Sequence, residues 1–255
     1  MAEVYTGERY ELANLGRPYS EKDTYLCLVN QPSDSGKLNN PILVFNDTEL
    51  SFSDLEENLP PFSSMEGYEH YRYFSYPLYI DKSIKMSFVN RLREILINAE
   101  YFRVAYAVIP NKERNSRYYP FGVSDGLRPY YFTQRLHSEK PYKDTNLKEF
   151  ELLSVSYAND SVHVNNIAYA KNDFYSTMKQ KIEQHDNYLV VFLVDKEMIF
   201  ADYIFVLDEL RRVVLDIRNA YAIENYSKEY KMLSPEEEEI VYNKIRMRLM
   251  EVNKP

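Results

Sequence analysis

Four histidines, one cysteine and 39 acids are the groups in this sequence that could support metal, nucleophilic or acid–base chemistry. The histidines, His70, His137, His163 and His185, are scattered. None has a second His or a Cys at the short spacing of a metal site, so they read as ordinary surface or core residues. Cys27 lies among Tyr25, Leu26, Leu28 and Val29. A reactive thiolate needs a base and cationic surroundings, which these neighbours do not provide, so a buried structural thiol is expected. The most suggestive acids are Asp195, Asp202 and Asp208. Asp195 follows an apolar run, where many α/β proteins place a functional acid. No glycine-rich turn comes after it, however, and no series of βαβ units is evident around it. Asp202 and Asp208 stand six apart in a helical pattern and face different sides. All three read as solvated acids near a helix start.

Phosphate cradles need glycines, and neither GxGxxG nor GxxxxGK[ST] occurs; Ser35-Gly36-Lys37 matches only the tail of the second. There is no GxSxG elbow and no HExxH pair. The reading therefore leans against an enzyme, and no cofactor or metal is expected.

One segment combines charge with aromatic surface. Residues 111–135 carry Lys112, Arg114, Arg117, Arg128 and Arg135 against Glu113 and Asp125, in a chain whose net charge is −8. Tyr118, Tyr119, Phe121, Tyr130, Tyr131 and Phe132 alternate with the arginines. Arginine pairs with carboxylates and phosphates, and aromatic rings stack on bases or fill pockets. Arg114, Arg117, Tyr118, Tyr119, Arg128, Tyr130 and Tyr131 are thus the candidate partner-binding residues. A protein partner suits the mixture; broad nucleic-acid binding is disfavoured by the acidic balance and a pI near 5.2.

The elements that would position these groups follow from periodicity. With 45% hydrophobic residues, 255 residues can bury a core without disulfides. Strands are predicted at Thr24–Val29, Ile42–Phe45, Tyr71–Ile80 (an edge strand, given Pro77), Phe102–Ile109, Glu149–Tyr157 and Ser161–Tyr169. Tyr188–Val194 is apolar throughout and reads as a strand buried on both faces. Helices are predicted from Ser51 or Ser53 to Leu59, from Ser83 to Tyr101, and from an Asn172-Asp173 cap to His185. A helical pattern runs from Met198 to Met232, with a break expected near Asn219–Asn225. Ser234-Pro235-Glu236-Glu237 is a capping box with Pro at the first helical position, opening a last helix to about Val252.

The fold class is α+β: a mixed sheet, a packed helix near 84–100 and a helical C-terminal section. Residues 1–40 read as a loose N-terminal arm, 41–195 as the α+β core with a long Arg/Tyr-rich loop at 111–135, and 196–255 as helices packed on the core or on a neighbouring subunit. Nothing at the N-terminus resembles a signal peptide and no apolar run is long enough to span a bilayer, which suggests a cytoplasmic protein, free or within a particle. The 25 tyrosines, with 13 phenylalanines and no tryptophan, suit half-wet interfaces. These features favour a structural or assembly subunit in a homo- or hetero-oligomer, a virion or phage component being one instance. Two alternatives remain at this level: a metal-dependent nuclease or hydrolase built from dispersed carboxylates, and a nucleic-acid-binding module using 111–135.

Overall fold

The structure, a computed structural model, describes residues 3–4, 26–29, 41–45, 48–64, 76–101, 103–109, 130–135 and 147–254. The fold is α+β, with mixed sheets and a helical C-terminal section. The chain divides into two compact units. The first contains Met1–Lys112, Val123–Lys140 and Ile199–Ala201; the second contains Glu113–Gly122, Pro141–Met198 and Asp202–Pro255.

In the first unit, β2 (Leu26–Val29), β3 (Ile42–Phe45) and β4 (Thr48–Leu50) form an antiparallel meander. Helix α1 (Phe52–Asn58) follows, then β5 (Tyr76–Ile80), parallel to β2. Helix α2 (Met86–Asn98) leads to β6 (Arg103–Ile109), parallel to β5. Two antiparallel strands, β1 (Glu3–Val4) and β7 (Tyr130–Arg135), add to β6. Helix α2 buries Met86, Val89, Leu92 and Leu96, a stripe of three- and four-residue steps. It ends where Glu100 turns left-handed at φ 68°.

The second unit repeats this plan. Strands β8 (Glu151–Ala158), β9 (Ser161–Val164) and β10 (Ile167–Ala170) form the meander. Helix α3 (Lys171–Glu183) precedes β11 (Tyr188–Val194), which is parallel to β8. Helices α4 (Phe200–Tyr226) and α5 (Pro235–Lys244) precede β12 (Leu249–Asn253), parallel to β11. Its sheet order is β10-β9-β8-β11-β12, and the corresponding path in the first unit is β4-β3-β2-β5-β6.

The correspondence extends to single residues. Leu26 pairs with Leu78 in one unit and Val155 with Phe192 in the other. The hairpins close at Phe45–Thr48 and at Val164–Ile167, each with two residues between. Asn165 and Asn166 have φ of 51° and 65°, the left-handed pair of a tight hairpin turn. After β5 and β11 comes the same dipeptide, Asp81-Lys82 and Asp195-Lys196. In each, the aspartate Oδ1 accepts from the N–H two residues on, Ser83 at 2.8 Å and Glu197 at 2.9 Å. The following helices begin five residues after each aspartate, at Met86 and Phe200.

Several expectations are corrected. The last helix stops at Lys244, and Leu249–Asn253 is a strand, because Ile245 leaves helical geometry and the segment after it pairs with β11. The helical series is broken at Ser227 (φ 54°), past Asn225, and a short 3-10 turn at Tyr230–Met232 follows. The predicted strand Ser161–Tyr169 is a hairpin, split by its asparagines. Pro77 lies in an interior strand, where the β2 ladder begins one residue later at Leu78. Helix α3 starts at Lys171 with Ala170 as cap, so Asn172 and Asp173 fall in its first turn. Parallel strands joined by helices are present in both units, contrary to the expectation that such a series was lacking.

Candidate functional site

Of the seven sequence-predicted site residues, Arg114, Arg117, Tyr118, Tyr119 and Arg128 lie outside the described residues. Tyr130 and Tyr131 fall in β7, paired with Val108 and Ala107. The end of the 111–135 segment is therefore a sheet strand and not a loop, as its alternating β-prone residues permit. His70 and His137 also lie outside the described residues, while His163 is in β9 opposite Ser156 and His185 follows α3. Cys27 is buried in β2. Asp195 caps its own turn, and Asp202 binds a lysine instead of joining Asp195 and Asp208. Among the described residues, no group of three or more His, Cys, Asp or Glu side chains could hold a metal ion.

The densest polar cluster is in the second unit, where the β8–β9 hairpin meets the starts of α3 and α4. Lys171 opens α3, and its Nζ lies 3.2 Å from Asp202 Oδ1 and 3.6 Å from Asp160 Oδ1. The same ammonium stands 4.7 Å from the centre of the Tyr157 ring and 5.6 Å from that of Phe205. The Tyr157 hydroxyl donates to Asp160 Oδ1 at 3.0 Å. Burial and the nearby Asp202 carboxylate push Tyr157 up to about 12, against the downward pull of Lys171. Burial alone would lower Lys171, but its bonds to Tyr157 and Asp202 outweigh it and raise the ammonium above its usual value. A lysine so held stays protonated near neutrality and is no amine nucleophile; the tyrosine stays neutral and is no base.

The first unit shows how this cluster is built. By strand and helix register, Phe52 corresponds to Lys171, Phe88 to Asp202 and Arg91 to Phe205. There Phe52 stacks on Phe88 with centroids 6.4 Å apart, and the Arg91 guanidinium sits 4.8 Å from the Phe52 ring. Both units thus place a cation on an aromatic ring at this junction, with the two roles exchanged between the helices. The junction fastens helix to helix in both units, and the ion pair is the second unit's version of a contact that is largely apolar in the first.

A second cluster joins α3 to α4. Glu209 is buried and pairs with Arg212 at 2.7 Å. The Arg212 guanidinium lies 3.9 Å from the Tyr175 ring, and the Tyr175 hydroxyl donates to Asp216. Sequence reading missed both clusters, since the first runs from Tyr157 to Phe205 and the second from Tyr175 to Asp216, and each residue type is common.

Alkaline titration tests the first cluster. A proton bound more tightly in the folded state adds stability that is complete below the unfolded pKa and is lost as pH rises to the folded one. Tyr157, at about 12 against the usual 10, should therefore cost stability between pH 10 and 12, with Lys171 acting in the same sense. Carbon-13 ζ-tyrosine NMR should show one resonance titrating near 12 that vanishes in Tyr157→Phe. A Tyr157 resonance titrating at 10 would contradict the geometry.

Comparison of the chain with known protein families, curated proteins and solved structures finds no match. Among the described residues, no helix is long and apolar enough to cross a membrane.

Proposed function

We propose that the chain is a non-enzymatic assembly subunit that works by docking on other proteins. The observation that carries this reading is the exposed apolar surface of the C-terminal section. Ile223, Met232, Ile240 and Tyr242 are 50%, 66%, 54% and 52% exposed, and Met247 follows at 36%. Single exposed apolar side chains are ordinary, but five within 25 residues, on the end of α4, the 3-10 turn, α5 and the segment just after it, favour contact with a partner. The polar clusters support the same reading, because each ties one element of the second unit to another.

Light scattering on a sizing column, with the 260/280 nm ratio recorded, tests it. The expected result is a discrete assembly above 30.4 kDa, low in nucleic acid, that the double variant Met232→Lys, Ile240→Lys reduces to smaller species. A chain that stays at 30.4 kDa both when pure and in its native extract would overturn the proposal.

A further inference from the structure

The two units treat the same strand edge differently. Strands β4 and β10 correspond, since Phe45 pairs with Thr48 in the first unit as Val164 pairs with Ile167 in the second. Each ends its sheet path, and among the described residues β10 pairs only with β9. In the shared register Thr48, Glu49 and Leu50 stand where Ile167, Ala168 and Tyr169 stand. A charge on an edge strand is a usual guard against pairing with another chain. The first unit has one in Glu49. Strand β10 reads Ile-Ala-Tyr-Ala and has no charge, no proline and an unbroken register.

The outward groups of β10 follow from its hairpin. Asn165 and Asn166, both left-handed, make a two-residue turn, so Val164 and Ile167 exchange the closing hydrogen bonds. Alternation along an antiparallel pair then turns the N–H and C=O of Ala168 away from β9. Ala168 and Ala170 are exposed. Ile167 lies opposite Val164, which has no exposed surface, yet it is itself 57% exposed because the sheet stops at this strand.

A second copy completes this edge. Antiparallel pairing centred on Ala168 sets it against Ala168 of the copy, with each outward N–H donating to the facing C=O. The same register sets Ile167 against Tyr169 of the copy, twice over by the two-fold symmetry. An aliphatic side chain opposite an aromatic ring is a favourable cross-strand pair, and it would cover the exposed Ile167. The chain has a net charge of −8, and at this edge two copies meet without opposing like charges. In β4 the same operation would set Glu49 against Glu49, which is destabilising. A strand of another protein would gain the backbone bonds alone, since β10 offers no charge to select it.

We infer that two copies of the chain join antiparallel through their β10 edges, continuing one sheet into the other. This rests on the assembly reading and gives it a two-fold contact besides the exposed C-terminal surface. So short a contact belongs to the weak, reversible class, and the mass should rise with concentration.

The test uses the full chain in a light-scattering concentration series. Ala168→Glu, which gives β10 the charge that β4 has in Glu49, should weaken self-association by about tenfold or more. Ala168→Cys treated with a short bis-maleimide should give a covalent species of twice 30.4 kDa, and the native chain, whose Cys27 is buried, should give none. Amide exchange at Ala168 should slow as concentration rises. An Ala168→Glu chain that keeps its circular dichroism and associates as before would overturn the inference. So would Ala168→Cys chains that do not cross-link, or an Ala168 amide that exchanges equally fast at every concentration. If Met232→Lys, Ile240→Lys dissolves the assembly and Ala168→Glu leaves it intact, the β10 contact fails and the assembly reading stands. A lone monomer, both pure and in extract, would remove both.

Discussion

Phe192→Ala is expected to destabilise the second unit by about 3–5 kcal/mol, the usual cost of deleting a buried phenylalanine ring. Phe192 has no exposed surface and lies in β11, opposite Val155 of β8 and Glu251 of β12. Its ring stacks on Tyr203 with centroids 5.7 Å apart. The cavity would open between β11 and α4, beneath the two parallel pairings of β11 with β8 and β12. Whole domains are stable by only about 5–15 kcal/mol, so the loss is a large part of what the unit has. Urea unfolding followed by amide exchange in β8 and β11 measures it. A cost under about 1 kcal/mol would mean that the site collapses without a cavity, against the packing described.

Strand β11, interior in its sheet, was the most legible part of the sequence. Tyr188–Val194 is an unbroken apolar run, and the strand is there; Val190, Phe192 and Val194 are buried on one face, whereas Val191 and Leu193 on the other are half-buried, so the expected burial of both faces is only partly met. The start of α5 was equally clear, because Ser234 and Glu237 satisfy each other's backbone groups locally. Strand β12 was misread because Ile245, Leu249 and Val252 are spaced four and three apart, the period of a helix. A short apolar series cannot settle the matter, and the parallel partner β11, some 59 residues away in register, decides it. The repeated plan was hidden for a related reason. Corresponding positions share apolar character and turn geometry but few identities; Asp81-Lys82 and Asp195-Lys196 are the clearest. The Lys171 cluster was unreadable because its counterpart, Phe52 with Phe88 and Arg91, keeps the contact and changes the chemistry. Of the expected Arg/Tyr site, only Tyr130 and Tyr131 fall on described backbone.

Arg218→Met is expected to loosen the chain from Ile245 to Asn253 by about 2 kcal/mol, at the low end for a charge-assisted hydrogen bond plus ring contacts. Arg218 lies on α4 and is 8% exposed. Its Nε donates to the Ile245 carbonyl at 2.8 Å, and its guanidinium sits 4.5 Å from the Tyr242 ring and 5.7 Å from that of Tyr230. The neighbouring Asn219 accepts from Tyr230 N–H at 3.0 Å, so one turn of α4 fixes both the 3-10 turn and the end of α5. Ile245 is the C-cap of α5, where carbonyls lack helical partners and a cation is favoured. Methionine keeps the apolar stem and avoids the cost of burying a charge, which offsets part of the loss. It cannot donate to Ile245, and the orphaned carbonyl sits where the chain turns into β12. Two kilocalories correspond to amide exchange about thirtyfold faster from Ile245 to Asn253, with β8 and β10 unchanged. Arg218→Lys keeps the charge but not the planar fork and should recover less than half of the difference. Unchanged exchange in β12 would show that β11 alone holds the strand and that Arg218 is dispensable to it.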